Sequence, residues 1–130
     1  MTRMERRFSK HYSLAEAREL LPQLRTWLTQ LQRLRRDLAS YEQSTQERLN
    51  EGENFGGGKV HQWVRNLAAF KEVIEEFDQR EIQVKDLERG LIDFPAMHGG
   101  REVFLCWELG EDDIKHWHDS DSGYAGREAL

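Results

Sequence analysis

The hydrophobic positions in the first half of the chain recur with the spacing of a helix. After Ser13, apolar side chains alternate in steps of three and four, at Leu14, Ala17, Leu21, Leu24, Leu28 and Leu31. This spacing predicts an amphipathic helix with one buried face. Residues 13–16 match a capping box, which marks the start of that helix. Because the stripe then shifts to Leu34, Leu38 and Tyr41, we expect a packed hairpin and not a long coiled coil.

A proline and a glycine run punctuate the helical part of the sequence. Pro22 cannot donate a backbone hydrogen bond, so a kink or break near Leu20 is expected, with a short helix 14–20 followed by a long helix 22–48. Residues 50–58, NEGENFGGG, predict a flexible loop because consecutive glycines are incompatible with a stable helix. A phosphate-binding loop is disfavoured, since no strand precedes these glycines and no Lys-Ser/Thr step follows them.

A second helix is predicted from Val60 to Gln79, antiparallel to the first. Its expected buried face is described by one stripe of six apolar residues, Val60, Val64, Leu67, Phe70, Ile74 and Phe77. Because this helix is shorter than the first, part of the first helix should overhang. An overhanging apolar edge is a natural contact for a second copy, so we expect a homodimer.

The hydrophobic period changes from helical to alternating near Glu81. Ile82 and Val84 alternate with polar residues, which predicts a short strand. A second strand is expected over 90–95, ended by Pro95, and a third over 102–109 after a turn at 98–100. The third strand is apolar on both faces. One face should therefore pack on the hairpin, and the other on the C-terminal tail or a second subunit.

The acidic run after Gly110 predicts a short C-terminal helix. Residues 111–113 would complement the positive end of the helix dipole, and Ile114 and Trp117 would be buried together. The expected fold is thus α+β: a long antiparallel helical hairpin packed on a small, mainly antiparallel sheet, with a short C-terminal helix. Residues 1–130 should form a single domain, with the hairpin over 13–80 and the sheet, short helix and tail over 81–130.

Composition narrows the class of protein. The chain has 130 residues, of which 33% are charged and 38% hydrophobic, and its net charge is −5. The acidic balance and the lack of a basic cluster argue against nucleic acid as a partner. No stretch approaches the ~20 apolar residues that cross a bilayer. The single cysteine, Cys106, has no intrachain disulfide partner, so a soluble cytoplasmic protein is expected.

Three segments of the chain resemble a known family. They are FSKHYSLAEARELLPQLR near the start, VKDLERGLIDFPAMHGGREVFLCWELGE, and KHWHDSDSGYAGREAL at the end. Together they resemble the uncharacterised bacterial family DUF2203, and the combination LIDFP, LCW-x-LGE, WHD and GYAGR is specific. The resemblance implies a small cytosolic bacterial protein with a helical hairpin and a small sheet. It implies no reaction.

The candidate functional residues lie within these motifs. Thiolate, imidazole and carboxylate donors favour zinc or iron, which makes Cys106, Glu111 and His118 a candidate metal site. Carboxylate and guanidinium groups of opposite charge make a second candidate set, for a small ligand, at the residues Asp93, Asp119 and Arg127. Strand alternation predicts that Asp93 and Cys106 point to the same side. No CxxC, HxxxH or HExxH motif accompanies them.

A purely structural interpretation of the same residues stays open. Cys106 would be a small core residue, His118 would cap the short helix, and Asp93 would pair with Arg127. Alternatively, Arg127 would fold back on Asp119 and Asp121 to fix the tail. A catalytic cysteine is disfavoured because burial raises the pKa of a thiol, so we predict no catalytic residue.

Two functional hypotheses therefore follow from the sequence. The first is a non-catalytic, dimeric interaction or scaffold module, which is not an enzyme. The second is a metal-dependent or small-anion-binding protein that uses a site in the C-terminal unit.

Overall fold

The computed structural model describes residues 6–50, 52, 57–120 and 122–130. Two helices come first, α1 (Leu14–Asn50) and α2 (Gly57–Gln79). Five strands follow, β1 (Gln83–Asp86), β2 (Leu91–His98), β3 (Arg101–Glu108), β4 (His116–Asp119) and β5 (Glu128–Ala129), with a 3-10 turn (Tyr124–Gly126) before the last. The predicted α+β class is confirmed. Most of the predicted loop over 50–58 lies outside the described residues, and its last two glycines belong to α2.

Helix α1 begins at the predicted capping box. The Ser13 hydroxyl accepts a hydrogen bond from the Glu16 amide at 3.1 Å, and the Glu16 carboxylate accepts one from the Ser13 amide at 3.1 Å. The predicted break near Leu20 is wrong, because α1 is one helix of 37 residues that includes Pro22. Pro22 lies on the exposed side, while Leu21 and Leu24 on either side of it are buried. Tertiary packing therefore keeps both turns helical.

The N-terminal half of α1 covers the sheet. The predicted stripe from Ala17 to Leu31 is buried and shares one apolar cluster with the strand residues Ile92, Phe94, Ala96, Val103, Leu105 and Trp107. Trp27 meets Phe77, near the end of α2, with ring centroids 5.8 Å apart. The residues of α1 before Trp27 therefore extend past α2. The extra length of α1 does not leave an open apolar edge, because the sheet covers it.

The second half of the predicted α2 stripe, Phe70, Ile74 and Phe77, packs against the core as predicted, whereas the first half does not. Trp63 stacks on Tyr41 of α1 at 5.8 Å, and Val73 and Phe77 are buried further along the helix. The first three residues of the predicted stripe are instead exposed, Val60 by 39%, Val64 by 51% and Leu67 by 44%. At 3.6 residues per turn, these three residues lie about a quarter turn from the packed face of α2. The aromatic side chain of Trp63 fills the position that the prediction gave to valine.

The five strands form one antiparallel sheet in the order β1-β2-β3-β4-β5. Strand β2 does not end at Pro95 as predicted but continues to His98. Pro95 pairs with Phe104 of β3, and its carbonyl accepts a hydrogen bond from the Tyr12 amide at 2.7 Å. In an antiparallel pair the nitrogen and carbonyl of one residue point the same way, so the Pro95 nitrogen faces away from β3. No ladder hydrogen bond to β3 is lost there.

The helix predicted just after Gly110 is wrong. Residues 116–119 form β4, and the C-terminal helical element is the 3-10 turn further along. The acidic run binds backbone and basic groups instead of opening a helix. Glu111 accepts a hydrogen bond from the Glu108 amide at 2.8 Å, and Asp113 accepts one from the Ile114 amide at 2.7 Å. Such local side-chain bonds compete with helix formation.

The second face of the sheet is closed by the two ends of the chain. Phe8 packs edge-on against Phe104 at 5.6 Å, and the backbone amides of Arg7 and Phe8 donate to the Glu102 carboxylate. The C-terminal loop, formed by Ser120 and residues 122–127, closes the rest, and Phe104 and Cys106 are buried. The covers predicted for this face were the C-terminal tail or a second subunit, and in the structure the C-terminal tail covers it. No helix in the described ranges has the length and apolar character needed to span a bilayer.

The packing of α1 on the sheet predicts a contrast between two leucines of the same helix. Leu28 is fully buried, whereas Leu49 is 56% exposed. Leu28→Ala should lower the free energy of unfolding by about 2–5 kcal/mol, because it leaves a cavity under the sheet. Leu49→Ala should change it by less than about 0.5 kcal/mol. Urea denaturation of both variants measures the difference, and equal losses would contradict this packing.

Candidate functional site

The strand register brings three potential metal ligands together on the second face of the sheet. Asp93 of β2 lies directly opposite Cys106 of β3. His118 of β4 lies opposite Phe104 of β3. Phe104 and Cys106 are two residues apart in β3, so His118 lies on the same face of the sheet as Cys106. A carboxylate oxygen, the thiol sulfur and an imidazole nitrogen all lie within 4.8 Å of one another. We call Asp93, Cys106 and His118 the sheet triad.

All three members of the sheet triad are buried. Asp93 and His118 are each 2% exposed and Cys106 is 1% exposed. Among the described residues, Asp93 and His118 are the buried carboxylate and imidazole side chains. Burying ionisable groups costs free energy unless they are paired, so their place in the interior needs a specific partner.

The hydrogen bonds of His118 fix one of its protons. Its Nδ1 lies 2.7 Å from the backbone oxygen of Asp119, and its Nε2 lies 2.9 Å from Oδ2 of Asp93. A carbonyl oxygen can only accept, so Nδ1 must carry a proton. One further proton is shared between Nε2 and Oδ2. Imidazolium with carboxylate, or imidazole with carboxylic acid, leaves the pair neutral overall.

The second oxygen of the Asp93 carboxyl has no partner. Oδ1 is buried and makes no hydrogen bond of normal geometry, while Oδ2 is bonded to His118 and the Cys106 thiol also interacts with this carboxyl. Leaving a buried acceptor unsatisfied costs about 1–3 kcal/mol. Native proteins rarely retain such an atom without a reason, and the binding of an ion is one recognised reason.

The thiol of Cys106 is held in its protonated form in the absence of a metal. Burial raises the pKa of Cys106 to about 12, and the negative charge of Asp93 adds to the effect. A thiol of this kind is a poor nucleophile. A bound divalent cation reverses this preference, because a coordinating thiol is deprotonated.

A cavity of about 200 Å³ adjoins the sheet triad. The triad forms its floor, and the walls come from β1, β2, β3 and the C-terminal loop. The other lining residues are Lys85, Leu91, Phe104, Ser120, Gly123 and Tyr124. The triad is therefore buried beneath an accessible space, and is not sealed in the apolar core between the sheet and the helices.

Glu111 and Arg127 do not join the sheet triad. The guanidinium of Arg127 donates to the Glu111 carboxylate at 2.7 Å and to Nδ1 of His116. The predicted pairs of Arg127 with Asp93 and with Asp119 are wrong, because Glu111 takes that role. Asp121 lies outside the described residues. Arg127 does form an ion pair, but its partner is Glu111 and not a residue predicted from the sequence.

Two further sequence-based assignments change with the strand geometry. His118 does not cap a helix, because it lies inside β4. His116 and His118 share a face, since residues two apart in a strand point the same way. The Asp119 side chain lies away from the cavity and pairs with Arg101 at 3.3 Å. The backbone oxygen of Asp119 accepts the hydrogen bond from Nδ1 of His118.

Two arginine–carboxylate pairs hold the C-terminal loop over the cavity. The Tyr124 ring packs against the guanidinium groups of Arg89, at 4.3 Å, and Arg127, at 4.7 Å. Arg89 is bound by both oxygens of Glu108, at 2.9 and 3.0 Å, while Arg127 is bound by Glu111. The Arg89–Glu108 pair is bidentate, which fixes its geometry. Glu111 and Arg127 therefore support the cavity wall and do not face its interior.

Sequence reasoning missed two residues of the cavity, Lys85 and Tyr124. Lys85 lies in a strand of four residues that has a bulge after Val84. Alternation therefore does not predict which face of the sheet its side chain is on. Tyr124 lies beyond the misassigned helix, so nothing in the sequence placed it near Cys106. The alternation of β2 and β3 was a sufficient signal for Asp93 and Cys106, which lie on one side as predicted.

Comparison with known proteins places the chain in a family. The family described as "Uncharacterized conserved protein (DUF2203)" matches residues 10–130. The chain belongs to this family. The match covers nearly the whole sequence and confirms the resemblance seen in the motifs, three of which contain the sheet triad. No curated protein and no solved structure matches the chain.

The burial of Cys106 predicts a slow reaction with thiol reagents in the metal-free protein. Raising the pKa from 9.0 to about 12 lowers the thiolate fraction at pH 8, by about 1000-fold. Labelling by a disulfide reagent at pH 8 should be suppressed by at least that factor relative to the same chain in denaturant. The denatured chain is the matched control. Equal rates in the two states would show that Cys106 is accessible and not held as a thiol.

Proposed function

We propose that this protein binds a divalent transition metal ion, zinc or iron, through Asp93, Cys106 and His118. The observation that carries the proposal is the buried Oδ1 of Asp93, which lacks a partner beside an imidazole and a thiol. Carboxylate, imidazole and thiolate together suit zinc and iron. Glu111, which the sequence analysis had favoured as a ligand, is replaced by Asp93 in this proposal.

Charge balance supports metal binding at this place. The metal-free triad is neutral, since the thiol is protonated and the His118–Asp93 pair carries no net charge. A divalent ion bound to thiolate, carboxylate and neutral imidazole is also neutral. Binding therefore exchanges two protons for one cation without leaving net charge in the interior, where an uncompensated charge would be costly.

The orientation of His118 also supports the proposal. Metal-binding histidines commonly donate their other ring N–H to a backbone carbonyl, which fixes the tautomer and the ring plane. Nδ1 of His118 makes this bond to Asp119. Nε2 is then the nitrogen that faces Asp93 and Cys106, and it can offer its lone pair to an ion.

Three protein ligands would leave a coordination position for another molecule. Structural zinc sites are closed by four protein ligands, whereas sites that act on a ligand keep one position open. The adjoining cavity supplies room for that position. The proposal thus favours ligand binding at the metal over a purely structural ion, and it names no reaction.

Zinc should bind with a stoichiometry of one ion per chain and raise the melting temperature. Asp93→Asn, Cys106→Ala and His118→Ala should each weaken binding by about 100-fold or more, since each removes a ligand. Asp112→Asn is the matched control, because it removes a nearby carboxylate whose side chain is 83% exposed and does not line the cavity. Calorimetric titration with zinc, and separately with iron(II), measures the affinities.

Proton release gives an independent check of the same site. In weak buffer near neutral pH, about two protons should leave the protein for each zinc bound, one from Cys106 and one from the His118–Asp93 pair. Cys106→Ala should release about one. The proposal is overturned if all three triad variants lose similar stability and none changes its response to zinc, since the triad would then serve structure alone.

A second candidate function is a dimeric interaction module. The exposed stripe Val60, Val64 and Leu67 on α2 supports it, because branched apolar side chains at steps of four and three form one continuous strip. A second copy would present the same strip, and two such strips are self-complementary about a twofold axis. A cytoplasmic location, which would keep Cys106 reduced, belongs to both candidates.

Substitution of the α2 stripe tests the dimer. The doubly substituted chain Val64→Gln/Leu67→Gln should be monomeric by light scattering, with the 15.4 kDa mass of one chain, while the parent chain should have twice that mass. Arg65→Gln/Glu72→Gln changes exposed positions on another side of the same helix with no change in net charge, and should stay dimeric. A monomeric parent chain at high micromolar concentration would refute the dimer.

A further inference from the structure

We infer that the cavity above the sheet triad binds a small oxyanion, a carboxylate or phosphate, with one oxygen on the open metal position and its charge balanced by Lys85. This inference rests on the proposed metal site. It adds the chemical class of the ligand and the residue that selects it.

The size of the cavity limits the ligand to a few atoms. Its volume is about 200 Å³, and a water molecule in the liquid takes about 30 Å³. The space therefore holds about six or seven non-hydrogen groups of that size. A short carboxylate or a phosphate fits, whereas a nucleotide or a peptide does not.

The charges around the cavity favour an anion. The metal-loaded triad is neutral, so it offers a Lewis-acidic position without repelling negative charge. Lys85 is the cationic side chain among the residues that line the cavity, and its ammonium group lies 5.7 Å from the centre of the Phe104 ring. Within the described ranges no carboxylate forms an ion pair with Lys85.

Arg127 cannot supply the balancing charge, although its sequence context first suggested an anion clamp. Its guanidinium is bound to Glu111 and His116, and its side chain is 11% exposed. Arg89 is likewise held by Glu108. Both arginines support Tyr124 from outside the cavity. The selective cation is therefore Lys85.

The remaining walls add a modest polar edge to an apolar enclosure. Ser120 and Tyr124 come from the C-terminal loop, and each side chain carries a hydroxyl group that can donate to an oxyanion. Leu91 and Phe104 form apolar walls. Apolar walls with a few polar groups are typical of small-molecule sites, in which the polar groups fix orientation.

Cobalt(II) substitution provides a direct test because the ion reports its own ligands. Cobalt-loaded protein should show thiolate-to-metal charge-transfer absorption and visible bands. Inorganic phosphate and acetate should each shift the visible bands with saturation, whereas acetamide, which has the shape of acetate without its charge, should not. Lys85→Gln should weaken the binding of both anions about fivefold or more, as expected for loss of one cation near an exposed site. Lys59→Gln, on the distant part of α2, should leave the affinities unchanged.

The outcomes separate this inference from the metal proposal. Absence of the thiolate charge-transfer band means that the metal site itself fails, and the oxyanion site fails with it. A normal cobalt spectrum that anions do not alter, or anion binding that Lys85→Gln leaves unchanged, overturns the oxyanion site while the metal site stands. Equal responses to acetate and acetamide would show that charge does not select the ligand.

Discussion

The hydrogen bond between His118 and Asp93 sets the conditions that the rest of the C-terminal unit has to meet. Both groups lie almost fully inside the protein, so they are tolerable only when each finds its partner. The partner is reached because β4 runs beside β3 and turns His118 towards β2. Strand register, tail path and loop closure are therefore coupled to one polar contact. The unpaired Oδ1 of Asp93 shows that this contact alone does not satisfy the site.

The sequence predicted the helical hairpin well because burial there follows a single period. Leu24, Leu28 and Leu31 are all fully buried, as the stripe indicated. Helix α2 shows the limit of the method. Its sequence contains two neighbouring apolar stripes, and periodicity cannot say which of them meets α1. The aromatic stacking of Trp63 on Tyr41 decides the question, and that contact is tertiary. Pro22 makes the same point, since packing on both sides overrides its local preference.

The candidate site was predictable in composition but not in arrangement. Asp93, Cys106 and His118 were all singled out from the motifs, and the alternation of β2 and β3 correctly set Asp93 beside Cys106. The acidic residues 111–113 resembled a helix start, which moved His118 to the wrong kind of element. Local carboxylate–amide hydrogen bonds, invisible to hydrophobic periodicity, direct the chain into β4 instead. Glu111 was predicted to bind a metal and Arg127 a small ligand, but in the structure the two side chains form an ion pair with each other.

The two faces of the sheet differ in role, because one packs in the apolar core and the other carries the buried polar side chains. The face towards α1 is apolar and fills the core, so substitutions there act through cavities. The opposite face carries Asp93, Cys106 and His118 under a loop that is held by two arginine–carboxylate pairs. The Arg89–Glu108 pair lies near the surface and contributes little stability of its own, whereas the Arg127 side chain is only 11% exposed. The effect of both pairs is geometric, because they position Tyr124 and close one side of the cavity. A buried polar cluster under its own cover costs free energy unless its groups are paired, and the proposed metal site accounts for that cost.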